Sequence, residues 1–277
     1  ENRVPLTLPR AQTARSVVVV GGGPAGLKAA LTAAQRGHQV TLVEQSGALG
    51  GLMIPASVGA FKEDLRRYLS YLRRQVEKSQ IHVMLHTRAD RALLEHLHPD
   101  AVILAVGGRA VMPPVPGLGT SGAVQAVALL NAGLETAGTR VTILGGGSIG
   151  CELALELAAL DRMVTVVELR DKLAANGNEL YRQDLMLHLE QETRITILTQ
   201  TVCTGVTAQG CTVREKDGGT RVIPHDTFVI AAGLRADADA VEALYGVVPE
   251  TYYVGDCKRA ASITEATTEA YFLGASL

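Results

Sequence analysis

Two segments of the chain repeat one design. Val17–Gln45 reads VVVVGGGPAGLKAALTAAQRGHQVTLVEQ, and Val141–Leu169 reads VTILGGGSIGCELALELAALDRMVTVVEL. Each opens on a β-branched run, crosses a glycine-rich turn, continues as an Ala/Leu-rich stretch of helical periodicity, and returns to an apolar run that ends in an acid. A β-branched run without polar alternation predicts a strand buried on both faces, as in a parallel sheet. The whole predicts a βαβ unit. Encoding it twice commits the chain to an α/β fold with two Rossmann-like dinucleotide-binding domains.

The glycines fall as G-x-G-x-x-G: Gly21, Gly23 and Gly26, then Gly145, Gly147 and Gly150. The first makes a tight turn, the second lets backbone approach a pyrophosphate, and the third lets helix and strand pack closely. Unpaired N–H groups at the helix start then attract the phosphates. The acid closing each unit, Glu44 or Glu168, lies 23 residues after its first glycine. That is near the spacing of about 20 for a carboxylate that accepts ribose hydroxyls. A lone glycine pattern is weak, but two complete assemblies at equal spacing imply two bound dinucleotides.

Composition narrows the function classes. The 277 residues suit about two domains. A net charge of −2 without a basic run argues against nucleic acid. The longer apolar segments are interrupted, so neither a membrane span nor a signal peptide is expected. Cys151, Cys203, Cys211 and Cys257 include no C-x-x-C pair. This argues against a redox-active disulfide and a Cys-ligated metal or iron–sulfur site, and for reduced thiols in the cytoplasm. Cys203 and Cys211 could meet across a hairpin. The seven histidines form no metal motif.

Between the fingerprints, FKEDLRRYLSYLRRQVEK predicts a helix with Leu65, Tyr68, Leu69, Leu72 and Val76 on one face. Ile81–Leu85 and Ala101–Val106 predict strands, the latter entering Gly107. Met112–Gly119, MPPVPGLG, breaks regular structure and marks a domain crossing. The second half continues through a strand at Ile195–Leu198 and a hairpin within 202–223, then Thr227–Ala232 entering Gly233. The pair TFVIAAG and AVILAVG extends the repeat. A last strand, Tyr252–Val254, leads to Gly255, Asp256 and a helix starting near Ser262. The first half lacks such a closing strand and helix. The domain reading is therefore 1–112 and 228–277 for one domain, with 113–227 inserted as the other.

The motifs VVGGGPAGLKAA, LGG at Leu49–Gly51, the K-E-D-L helix from Lys62, PPVPG at Pro113–Gly117, GGGSIGCE, IPHDTFVIAAGLR and YYVGDC occur in that order. Together they resemble the C-terminal FAD/NAD(P)-binding module of the NADH:flavin oxidoreductase family, which includes 2,4-dienoyl-CoA reductases and enoate reductases. The resemblance implies FAD in the first domain and a nicotinamide nucleotide in the second. It places Gly21, Gly23, Pro24 and Ala25 along the FAD pyrophosphate, Glu44 on the ribose, and Gly50 and Gly51 beside the phosphates. Asp256 would accept a ribityl hydroxyl, and N–H groups near Ile263 and Thr264 would stabilise charge on reduced flavin.

In the second domain the resemblance places Gly145, Gly147, Ser148 and Ile149 on the pyrophosphate. Glu152 corresponds to a glutamate facing the nicotinamide pocket. Gln45, Leu52, Val106, Gly107, Gly233 and Gly255 complete the candidate cofactor-binding residues. A carboxylate at Glu168 receives a 2′-hydroxyl and repels a 2′-phosphate, which favours NADH over NADPH. Arg170 is read as a solvated loop residue.

The implied chemistry is hydride transfer from NADH to FAD, requiring no catalytic side chain and no metal. Family members carry an FMN-binding barrel and an iron–sulfur cluster ahead of this module. The chain, from Glu1 to Leu277, is accordingly expected to be the C-terminal portion of a larger enzyme that passes electrons to that upstream FMN/iron–sulfur partner. Two alternatives stand beside this: a structural ADP-binding module like that of amine dehydrogenases, and a non-enzymatic nucleotide-binding domain.

Overall fold

The computed structural model describes residues 8–59, 61–175 and 177–277. The opening seven residues of the expected first domain lie outside these. The chain divides into two compact units, one running to Arg109 and resuming over Leu234–Leu277, the other spanning Ala110–Gly233.

In the first unit, the strand Ser16–Val20 sits at the centre of a five-stranded sheet. The order across it is Thr251–Tyr253, Ala101–Leu104, Ser16–Val20, Gln39–Val43, His82–Met84, and every pairing is parallel. Val19 faces Leu42 on one side and Ile103 on the other. Val17–Val20 are buried on both faces, which accounts for an apolar run without polar alternation. One face carries the helices Pro24–Gln35, Glu63–Glu77 and Ile263–Ser276, packed through Leu27, Leu69, Leu72, Val76 and Ala270. The other face packs Val18, Val20, Val102 and Leu104 against Leu94 of the helix Arg91–Leu97 and against Leu244.

The second unit repeats the arrangement. Its parallel sheet runs Val124–Gln125, Thr227–Ile230, Arg140–Leu144, Met163–Val167, Ile195–Leu198. The helices Ser148–Ala159 and Glu179–Gln191 bury Leu153, Leu157, Leu185 and Leu189 on one face. On the other, the expected hairpin is a three-stranded antiparallel sheet, Val202–Val206, Gly210–Arg214 and Thr220–Pro224. It covers Phe228 and Ile230 with Val206, Cys211, Val213 and Ile223.

Two expectations are corrected. The segment from 228 to 233 belongs to the second unit, because Thr227–Ile230 pairs with Arg140–Leu144 and leaves that sheet only beyond it. The unit boundaries accordingly fall at 109/110 and 233/234 rather than at 112/113 and 227/228. The strands expected over Ile81–Leu85 and Ala101–Val106 are His82–Met84 and Ala101–Leu104, since the chain turns out of the sheet at each end.

Candidate functional site

The first glycine loop is fixed by close approach. Gly21 has φ +107°, and a Cβ there would lie 2.3 Å from the Ala105 carbonyl oxygen, so both conformation and space demand glycine. A Cβ on Gly26 would stand 1.8 Å from the Gly21 oxygen, which is how close the helix comes to the turn. The second loop matches: Gly145 has φ +114° and would meet the Ala231 oxygen at 2.4 Å, while Gly150 would meet the Gly145 oxygen at 2.0 Å.

The middle position differs. A Cβ on Gly23 or Gly147 would find no atom within 4 Å. These two residues are the N-caps of the helices Pro24–Gln35 and Ser148–Ala159, and neither helix start receives a side-chain cap. Open space over uncapped N–H groups leaves donors free to receive an anion such as a diphosphate. The residues therefore fit the two dinucleotides that the repeat implies. Pro24 pre-sets the first turn of its helix. Ala25 is buried, and Ser148 and the partly exposed Ile149 form the first turn of the second helix.

Each acid engages its own loop. Glu44 Oε2 accepts the Gly22 N–H at 2.7 Å and Oε1 the Ser46 N–H at 2.7 Å. Glu168 Oε2 accepts the Gly146 N–H at 2.6 Å and Oε1 the Arg170 N–H at 2.8 Å. Charge-assisted bonds of this kind are about twice as strong as neutral ones. Both carboxylates thus pin the turn, at Gly22 and Gly146, to the end of the second strand. Gln45 and Arg170 are exposed beside them.

A further pair of loops was not recognised in the sequence. Gly50 N–H donates to the Gly22 carbonyl at 2.7 Å, and Ala174 N–H donates to the Gly146 carbonyl at 2.8 Å. Leu49 and Leu173, each 28 residues after the first glycine of its copy, lie against Gly22 and Gly146. Only the LGG of the first copy stood out, because the second reads LAA. The shared offset was the available signal. Gly51 backs onto Gly23, and Leu52 precedes the short helix Met53–Ala56.

The remaining candidates of the first unit gather at the same carboxyl edge of the sheet. Val106 and Gly107 follow the strand whose Ala105 abuts Gly21. Gly255 packs on Ala25, where a Cβ would come within 2.9 Å. Asp256 accepts the Ala261 N–H at 3.2 Å, and burial raises its carboxyl above the usual range. Ile263 and Thr264 open the last helix. Its capping box uses Ser262 and Glu265, so it engages the N–H groups of Ser262 and Glu265 rather than those of Ile263 and Thr264.

In the second unit, Glu152 accepts a hydrogen bond from the Tyr181 hydroxyl. Burial and that carboxylate push the phenol pKa up. Tyr181 carries no motif and was not anticipated. Gly233 lies on an exposed turn, its carbonyl accepting the Val111 N–H at 2.9 Å. The four cysteines are buried free thiols. Burial pushes Cys151 up to about 12, and the Cys203 thiol donates to the Gly205 carbonyl at 3.7 Å. Among the described residues no helix is long and apolar enough to cross a membrane, and no cluster of three His, Cys, Asp or Glu could hold a metal.

The chain is 34% identical over 258 residues to bilirubin reductase of Mediterraneibacter gnavus, covering 93% of this chain and 40% of that protein. It is 29% identical to cinnamate reductase of Clostridium sporogenes, covering 95% and 39%. The solved structure of 2-naphthoyl-CoA reductase superposes with a TM-score of 0.93 at 25% identity, over 98% of this chain and 41% of that one. The chain thus spans about two fifths of the length of these reductases. These relatives bear out the resemblance to the nucleotide-binding module of enoate-reductase-like enzymes, and they do not favour a structural ADP-binding module. Residues 15–270 match the family described as pyridine nucleotide-disulphide oxidoreductase, a family of FAD- and NAD(P)H-binding proteins. This chain belongs to that family, as a flavin-dependent oxidoreductase module.

Proposed function

We propose that this module takes hydride from NADH onto FAD and passes electrons onward to an iron–sulfur/FMN centre in a larger enzyme. The observation that carries the reading is the pair of open, uncapped helix starts at Gly23 and Gly147, each with its carboxylate-pinned turn. In the first unit, Gly21, Gly23, Pro24, Ala25, Gly50 and Gly51 would hold the FAD diphosphate. Glu44, whose two oxygens each accept one backbone bond, retains lone pairs for ribose hydroxyls. Asp256 would accept from the ribityl chain, and the N–H groups of Ile263 and Thr264 would face developing negative charge. When bound, FAD supplies the hydride acceptor and can release electrons one at a time.

In the second unit, Gly145, Gly147, Ser148 and Ile149 would bind the diphosphate of the nicotinamide nucleotide. Glu168 supports NADH over NADPH, because a carboxylate at the ribose repels a 2′-phosphate. Glu152, held by Tyr181, would border the nicotinamide pocket. The protein's part is to bind, orient and exclude water rather than to move a proton. The share of each reductase that the chain spans supports an upstream partner domain, and four free thiols support a cytoplasmic setting.

The test is to purify the chain, reconstitute it with FAD, and add NADH without oxygen. The visible flavin bands should bleach, and ferricyanide should be reduced catalytically. A protein that stays colourless after reconstitution would overturn the assignment.

A further inference from the structure

We infer that Arg73 and Arg182 are positioning residues, each fixing the peptide that presents its unit's second loop to a bound diphosphate. The inference rests on the reading that each unit holds a dinucleotide. Arg73, on the helix Glu63–Glu77, donates through Nε and Nη2 to the Leu49 carbonyl at 2.7 and 2.5 Å. Arg182, on the helix Glu179–Gln191, donates through Nε to the Leu173 carbonyl at 2.9 Å.

In a trans peptide the carbonyl and the following N–H point opposite ways. The peptide from Leu49 to Gly50 is therefore gripped on both sides, by Arg73 at its oxygen and by the Gly22 carbonyl at its N–H. The peptide from Leu173 to Ala174 is gripped the same way by Arg182 and Gly146. Gly22 and Gly146 are in turn held at their N–H groups by Glu44 and Glu168. Each unit thus contains one hydrogen-bonded series, from carboxylate through the glycine turn and the second loop to a guanidinium. A carboxylate stands at one end of each series and a guanidinium at the other, Arg182 also lying 3.5 Å from the Glu179 carboxylate.

The sequence repeat does not supply these arginines. Arg73 lies in the third turn of its helix and Arg182 in the first, yet both reach the carbonyl of the leucine 28 residues after the first glycine. Two different helical positions converging on one contact mark that contact as a requirement of the loop. Drawing the carbonyl oxygen onto a guanidinium keeps a negative dipole end off the anion's side. Arg73 is half-buried and has no carboxylate partner among the described residues, so its charge stays beside the loop.

The experiment compares Arg73→Met and Arg182→Met with wild type. FAD affinity is read by fluorescence titration of the apoprotein, and KM and kcat for NADH by ferricyanide reduction. Arg73→Met should weaken FAD binding about tenfold at a temperature where the variant apoprotein remains folded, the scale of losing a charge-assisted bond. Arg182→Met should raise KM for NADH about tenfold with flavin content and kcat unchanged. Arg73→Lys and Arg182→Lys, which keep one donor, should fall between and carry the test if a methionine variant does not fold. Unchanged FAD affinity in Arg73→Met and Arg73→Lys, beside a wild type that binds FAD, overturns the inference alone. A wild type that takes up no FAD overturns the functional reading, and this inference with it.

Discussion

Glu168 and Gly146 are joined by a 2.6 Å hydrogen bond from the glycine N–H to the carboxylate, and the other carboxylate oxygen receives the Arg170 N–H. The acid proposed to select the nucleotide therefore also shapes its own glycine turn. Glu168→Gln keeps the size but can accept only one of these bonds and turns an NH2 toward the other donor. Glu168→Ala removes both. KM for NADH should rise about tenfold in each, the effect of one to two charge-assisted bonds, and the NADPH/NADH preference should move toward NADPH. Steady-state kinetics with both nucleotides checks this. Unchanged NADH kinetics in both variants would refute the double role.

The third glycine of each fingerprint is a contact rather than a hinge. In Gly26→Ala or Gly150→Ala the new methyl would meet the Gly21 or Gly145 carbonyl oxygen at 1.8 or 2.0 Å, so the helix must withdraw from the turn. The expected cost is about 1–3 kcal/mol of stability. FAD binding should fail in the first variant and NADH binding in the second. Gly119→Ala, with no atom within 4 Å of the added carbon, is the control and should stay within about 0.5 kcal/mol. Thermal melts and nucleotide titrations give the comparison.

His225 ties stability to mildly acid pH. It is buried, its Nε2 lies 3.2 Å from the Thr207 carbonyl, and its ring packs on Phe228. Burial lowers its pKa, as it does for His38. An unfolded histidine takes its proton at about pH 6.5, and the folded one only at lower pH. In that interval the unfolded state binds more protons, so stability is lost as pH falls below about 6.5. The melting midpoint should drop between pH 7 and 5, and His225→Asn should flatten part of the slope, His38 retaining the rest. The lowered carboxylates Asp226, Glu250 and Glu265 titrate below this window.

Asp256 gives a second pH signature. Burial raises its carboxyl above the ordinary aspartate range, so its charge is lost at a higher pH than that of an exposed aspartate. FAD affinity should weaken as that proton is taken up, and Asp256→Asn should remove this dependence while lowering affinity at neutral pH. Titrating apoprotein with FAD across the acid range tests it. A pH-independent wild type would argue against a role for this carboxylate in binding.

Both five-stranded parallel sheets were legible in the sequence because a strand buried on two faces requires an apolar run such as Val17–Val20. The last helix was legible too, since its capping box places Ser262 at its start. What escaped were contacts made by geometry rather than by residue type. Leu173 and Ala174 repeat the work of Leu49 and Gly50 through the same main-chain bond, which the LAA makes with Ala174 held at φ +47°. Arg73 and Arg182 look like ordinary surface arginines of polar helices, and nothing local to either points at a backbone carbonyl 24 or 9 residues back. The third strand at Thr220–Pro224 was missed because its residues alternate weakly and only Ile223 is buried.

Thr251 lies opposite Val102, so the first sheet waits for its outer strand until nearly all of the chain has been made. The whole second unit is contiguous and emerges from the ribosome in the meantime. With about 5–20 residues added per second, the delay is on the order of 10 s. Throughout it, Ala101–Leu104 offers a bare row of amide and carbonyl groups to any neighbouring polypeptide, an invitation to intermolecular pairing. Slower translation across the inserted unit lengthens the time for which that edge is open.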